Sequence, residues 1–123
     1  MIVLVDTSVW IRFLSNRATY AAELDRLLGR GEVSGHDFVY GELLIGDKGG
    51  RTKLLADYAQ MHPAPVIDHD DVVAFVRERR LHGRGIGWID AHLLASALVG
   101  RLRLWTTDPR LETVAKELAI SYG

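Results

Sequence analysis

The sequence predicts an α/β fold with a mostly parallel central sheet of about five short strands. Three observations carry that expectation. Met1–Val5 is a short, uninterrupted apolar run, which is how a strand buried on both faces reads. Runs of strand length alternate with segments of helical spacing along the chain. Acids follow two of the strands directly, Asp6 behind the first and Asp108 behind Leu104. The carboxyl ends of parallel strands are where such sheets bind ligands.

The elements follow in order. Behind the first strand, Asp6, Thr7 and Ser8 are all capping types, and Val9, Trp10, Phe13 and Leu14 predict a short helix. Ala21–Leu28 sets Leu24, Leu27 and Leu28 on one stripe, stopped by Gly29 and Gly31. Glu32–Gly35 is a short second strand, and Phe38–Ile45 is a helix ending near Gly46. Gly49 and Gly50 break the chain. A helix over Lys53–Tyr58 follows, closed by Pro63 and Pro65. Val66 and Ile67 are a strand remnant. His69–Leu81 is a long helix with Val72, Val73, Phe75 and Val76 inward and Arg77, Glu78, Arg79 and Arg80 outward. Gly83, Gly85 and Gly87 make a flexible loop before the strongly apolar helix Trp88–Leu98. Leu102–Trp105 is a strand, Pro109 opens a helix to about Leu118, and Ala119-Ile120 is a last short strand.

Composition narrows the function classes. A chain of 123 residues suits one domain spanning 1–123. It contains 0 cysteines, which excludes disulfides, thiolate metal sites and a cysteine nucleophile, and fits a cytoplasmic location. No apolar run approaches the ~20 residues of a membrane span, so no membrane partner is expected. The apolar start is cut by Asp6 and is no signal peptide.

Asp6, Glu42, Asp90 and Asp108 each have a bland reading. Asp6 and Asp108 are good N-cap residues, Asp90 sits early in a helix, and Glu42 fits a solvated helix position. Brought to one pocket, they offer only oxygen ligands, a set suited to Mg²⁺ or Mn²⁺ rather than zinc. Such sites neutralise phosphoryl oxygens and activate water. Setting these four aside tips the balance of 15 basic against 16 acidic residues to the basic side. Arg77, Arg79, Arg80, Arg84, Arg101 and Arg103 are then candidate phosphate partners, or merely solvated.

Four segments in order resemble one family. Val5–Trp10 resembles the opening of PIN-domain ribonucleases, and Tyr40–Gly46 is similar to the segment that carries their second acid. Gly83–Ala97, with Asp90 inside it, resembles the VapC toxins of VapBC toxin–antitoxin pairs. Leu104–Asp108 is similar to the last strand and fourth acid. The resemblance implies a PIN-like three-layer α/β/α fold and a Mg²⁺- or Mn²⁺-dependent endoribonuclease. It implies Asp6, Glu42, Asp90 and Asp108 as catalytic and metal-binding acids. Thr106 matches a hydroxyl position, and Thr7 and Ser8 help orient the pocket or simply cap. The resemblance further implies cleavage of transfer or ribosomal RNA to 5′-phosphate and 3′-hydroxyl ends. It implies a cognate VapB-type antitoxin and a homodimer.

Other signals are weaker. Gly83, Gly85 and Gly87 are not a dinucleotide fingerprint, because they follow a helical pattern. Asp68-His69-Asp70-Asp71 reads as an acidic helix start rather than a metal cluster. Trp10, Trp88 and Trp105 read as core, and His92 as a core or partly exposed histidine. Two rivals stand beside the nuclease. One is a catalytically silent PIN-like domain that binds RNA or a partner. The other, a phospho-accepting receiver domain, would want paired acids after the first strand and a late lysine, and this chain has neither.

Overall fold

The computed structural model describes all of residues 1–123. Its sheet has four parallel strands in the order β3-β2-β1-β4. β1 (Val3–Val5) is central, with all three residues fully buried, as its apolar run predicts. β2 (Val33–Gly35) lies on one side of it and β4 (Arg103–Trp105) on the other. The β1–β4 register sets Val5 opposite Trp105. Asp6 and Thr106 therefore leave the sheet side by side.

Chain order explains the layers. The chain steps from β1 through α1 (Thr7–Leu14) and α2 (Ala18–Gly29) to β2. It continues through α3 (Asp37–Ile45) and α4 (Thr52–Tyr58) to β3 (His62–Pro63). It then returns through α5 (His69–Glu78) and α6 (Trp88–Gly100) to β4, followed by α7 (Pro109–Glu117). Right-handed crossovers in opposite directions place helices on opposite faces of the sheet. The reversal falls between β1 and β4, at the carboxyl ends where Asp6 and Asp108 emerge.

The main core is a cluster of 23 buried residues, including β1, Trp10, Leu24, Leu27, Leu43, Leu93, Leu94, Leu104 and Leu111. Trp10 meets Phe13 and Tyr58 edge-on at 5.8 and 5.5 Å. α6 is buried without a break from Ala91 to Ala97, as expected of a helix apolar on every side. No helix is long and apolar enough to cross a membrane.

Three expectations change. The strand anticipated at Val66-Ile67 forms instead at His62–Pro63, an exposed edge strand of two residues. Its carbonyl at His62 accepts from Ser34 Oγ at 3.0 Å, and Ala64 N–H donates to Gly35 at 2.6 Å. The strand anticipated at Ala119-Ile120 shrinks to a single parallel bridge between Ser121 and Leu104. The chain reverses there through Ala119, whose φ of 59° cannot continue a strand. Trp88, expected in the core, is 44% exposed, because it is the first residue of α6 and stands at the lip of the carboxyl edge.

Candidate active site

Four carboxylates converge at the carboxyl edge of the sheet, each delivered by a different element. Asp6 follows β1 and is buried. It stands at the N-cap of α1, yet its side chain makes no capping bond. Oδ2 instead accepts from Ser8 Oγ at 2.7 Å and from Thr106 Oγ1 at 2.8 Å. The capping explanation of Asp6 therefore fails.

Asp108 does cap its helix. Its Oδ1 caps α7 by accepting from Arg110 N–H at 2.8 Å, with Pro109 in the first turn. Its own N–H donates to Thr106 Oγ1 at 3.1 Å. Thr107 N–H donates to Ser8 Oγ at 3.1 Å. Thr106 and Ser8 thus stitch the end of β4 to the start of α1, with Asp6 between them. Glu42, in α3, accepts from Thr7 Oγ1 through Oε1 at 2.7 Å. Asp90, in the first turn of α6, accepts from Gly87 N–H through Oδ2 at 2.9 Å.

The electrostatics tie the four together. Burial pushes the Asp90 carboxyl up from the ordinary aspartate range, and the Gly87 N–H bond pulls it back. The charges of Asp6, Asp108 and Glu42 then push it up further. No lysine or arginine lies within 4.0 Å of any of these carboxylates. In each, one oxygen is held by the protein and the other accepts no protein hydrogen bond.

An all-oxygen, uncompensated donor set of this kind fits a hard divalent cation. In these rotamers no three acid or histidine side chains close on a common point. A bound ion would draw them together by side-chain rotation, which four mutually repelling carboxylates disfavour in its absence.

The neighbouring histidines are structural. His36 Nδ1 accepts from Phe38 N–H at 3.0 Å, so the proton sits on Nε2, 2.9 Å from Ser96 Oγ. Burial holds its basicity below the usual histidine range. His92 is buried and packs edge-on against Phe38 and Trp88 at 4.7 and 5.0 Å. Asp68 precedes α5, with Asp70 and Asp71 in its first turn, away from any ligand cluster.

The arginine expectations divide. Arg84 is tied to Glu117 through two hydrogen bonds of 2.7 and 2.5 Å. Arg103 donates to Ala119 O at 2.6 Å. Two arginines beside the acids, Arg12 and Arg110, were not singled out by the sequence pattern, because each sits on a helix where a solvated charge is ordinary.

With this geometry in place, comparison with known proteins decides the family. Residues 3–117 match the PIN domain. The chain belongs to the PIN-domain family. This PIN domain is similar to "Ribonuclease VapC32" of Mycobacterium tuberculosis, in both strain CDC 1551 / Oshkosh and strain ATCC 25618 / H37Rv. The identity is 46% over 120 residues, covering 97% of this chain and 94% of the relative. Among solved structures it resembles the crystal structure of PAE2754 from Pyrobaculum aerophilum. That likeness has a TM-score of 0.57 at 18% identity, over 97% of this chain and 90% of the other, and speaks for the fold alone. The expected PIN-like architecture and the VapC-type resemblance are both borne out, and the receiver reading falls with them.

Proposed function

We propose that this PIN domain is a metal-dependent endoribonuclease, the toxin of a type II toxin–antitoxin pair, and that the whole chain acts as one unit. The observation that carries the reading is the uncompensated carboxylate cluster at the strand ends. The likeness to a chain named a ribonuclease supports the substrate class. A silent PIN-like domain has no use for four acids whose mutual repulsion opposes folding.

Asp6, Asp90 and Asp108 would hold Mg²⁺ or Mn²⁺ through their unengaged oxygens, with Glu42 beside them. The ion would supply charge neutralisation at the phosphate and a lowered pKa for water. The chain's own residues do the rest. Ser8 and Thr106 fix Asp6 in one orientation. Thr7 fixes Glu42, leaving its second oxygen to take a proton from the attacking water. The water oxygen bonds to phosphorus, the P–O3′ bond breaks, and a proton goes to the departing 3′ oxygen. The ends left are 5′-phosphate and 3′-hydroxyl.

Transfer or ribosomal RNA is the proposed target, with translation arrest as the outcome in the cytoplasm. A VapB-type antitoxin and a second copy of the chain are the proposed partners. Exposed Ile11 and Leu14 on α1 and Leu44 and Ile45 on α3 provide apolar surface for such contacts.

The test is cleavage of a total-RNA pool by the purified chain with Mn²⁺ or Mg²⁺, with EDTA, and with Asp90→Asn beside the parent. Discrete fragments requiring both the ion and Asp90 are expected. A folded, antitoxin-free, metal-binding chain that cuts no RNA would favour the binding-only reading.

A further inference from the structure

On the α1–α7 side of the carboxylates lies an open hollow of about 570 Å³, lined by Ser8, Arg12, Thr107, Asp108, Pro109 and Arg110. Ser8 and Asp108 belong to the acid frame described above. The two arginines do not, and they share an unusual condition. Neither is paired, and Arg12 is also held in place.

Arg12 donates from Nη1 to Ser8 O at 3.1 Å, and its guanidinium lies 5.7 Å from the centre of the Tyr20 ring. Tyr20 in turn stacks on Trp105 at 6.2 Å. Arg110 runs along the glycine loop. A Cβ at Gly85 would stand 2.7 Å from Arg110 Cδ and 3.0 Å from its Nη1. Gly85 also has φ +82°, so the backbone calls for glycine here, and a Cβ would push the Arg110 side chain aside. The loop is itself clamped to α7 by Arg84 and Glu117.

The ion pairs of the chain all lie elsewhere, at Glu32, Glu23, Asp57 and Glu117. No carboxylate oxygen comes within 4.0 Å of the Arg12 or Arg110 guanidinium, although Asp108 lines the same hollow. Two uncompensated guanidinium groups on a polar hollow beside the proposed phosphodiester-cleaving centre have a natural ligand. The planar fork of N–H donors matches phosphate oxygens.

We propose that Arg12 and Arg110 form a phosphate subsite for the RNA strand, gripping a phosphodiester next to the one that is cut and so aligning the strand across the carboxylates. This rests on the nuclease reading above. In it they are positioning residues, and Gly85 is the gap that the Arg110 side chain runs past.

Backbone contacts are independent of sequence, so a labelled mixed-sequence single-stranded RNA serves as the probe. Its binding to the full chain is measured across a salt series in EDTA, and again with Mn²⁺ in the Asp90→Asn background. Arg12→Gln and Arg110→Gln should each weaken binding about tenfold and flatten the log–log salt slope by about 0.7 per lost phosphate contact. Arg110→Lys should keep most of the slope. Gly85→Ala, verified as folded by its melting curve, should displace Arg110 and weaken binding in the same direction. Arg30→Gln, at the opposite end of the sheet before β2, should change neither quantity. In cleavage assays the loss in the arginine variants should fall mainly on KM.

Parent affinity and slope in folded Arg12→Gln and Arg110→Gln, or an equal loss in Arg30→Gln, would overturn the subsite and leave the nuclease reading standing. A parent that binds no RNA in either condition would remove both.

Discussion

Asp90 is the residue on which the local electrostatics bear most heavily. Burial and three like charges raise its carboxyl above the ordinary aspartate range. A group raised by folding favours the fold while protonated, and that contribution is lost as pH rises through its folded pKa. Asp90→Asn stays neutral at every pH. The metal-free variant should therefore melt above the parent at pH 8, with the difference closing toward pH 4. Melting curves across that range check this, and a pH-independent difference would mean the charges do not couple. Cleavage by Asp90→Asn should fall at least ~100-fold, since even residues that only support a ligand cost 10–100-fold. Substitution separates the cap made by Asp108 from its proposed ligand role. Asn caps as well as Asp, so Asp108→Asn should keep the fold and lose activity, whereas Asp108→Ala should also lose about 1 kcal/mol by denaturant titration.

At the scale of elements, the site depends on how β4 is stitched to α1. Thr106 Oγ1 donates to Asp6 and accepts from Asp108 N–H. Thr106→Val keeps the branched shape and removes both bonds. It should destabilise the protein by about 1–3 kcal/mol and lower cleavage 10–100-fold, measured by denaturant unfolding and RNA cleavage. Tyr58 from α4 plays a similar part at β2, where its hydroxyl accepts from His36 N–H at 2.8 Å. Burial pushes that hydroxyl's pKa well above the ordinary tyrosine value. Tyr58→Phe orphans a buried N–H and should cost about 1–3 kcal/mol in the same unfolding titration.

The elements that the sequence made legible are those whose burial imposes a pattern. β1 and α6 are hidden on every side, and their apolar runs say so. β3 left no such trace. Both its residues are exposed and it is held by main-chain bonds, so Val66-Ile67 looked the better strand. Asp6, Asp90 and Asp108 were visible from their positions behind strands and in the first turn of a helix, whereas Glu42, inside α3, stood out only through the family resemblance of Tyr40–Gly46. Their hydroxyl partners were visible only as residue types, because Ser8 and Thr7 suit a cap as well as a carboxylate. Arg12 and Arg110 carried no pattern. Their significance lies in what they do not pair with, which only three dimensions reveal.

For the whole molecule, the proposed metal site would make stability and metal binding two views of one quantity. Mn²⁺ should raise the melting temperature of the parent, and EDTA should reverse the rise. Protons compete for the same oxygens, so calorimetric Mn²⁺ affinity should weaken as pH falls from 8 to 5. An affinity that does not move over that range would argue against the cluster as the binding site.

The order of strands across the sheet also governs when the carboxylate cluster becomes complete. β1 is made first but sits in the middle, between partners that begin at Val33 and Arg103. Asp6 finds Thr106, and the hydroxyl frame closes around it, only once the last strand has been made. A nascent polypeptide carries Asp6 without Asp108 until all the residues between them have been made. A nuclease of the proposed kind would thereby have no assembled site until the chain has been made as far as Asp108.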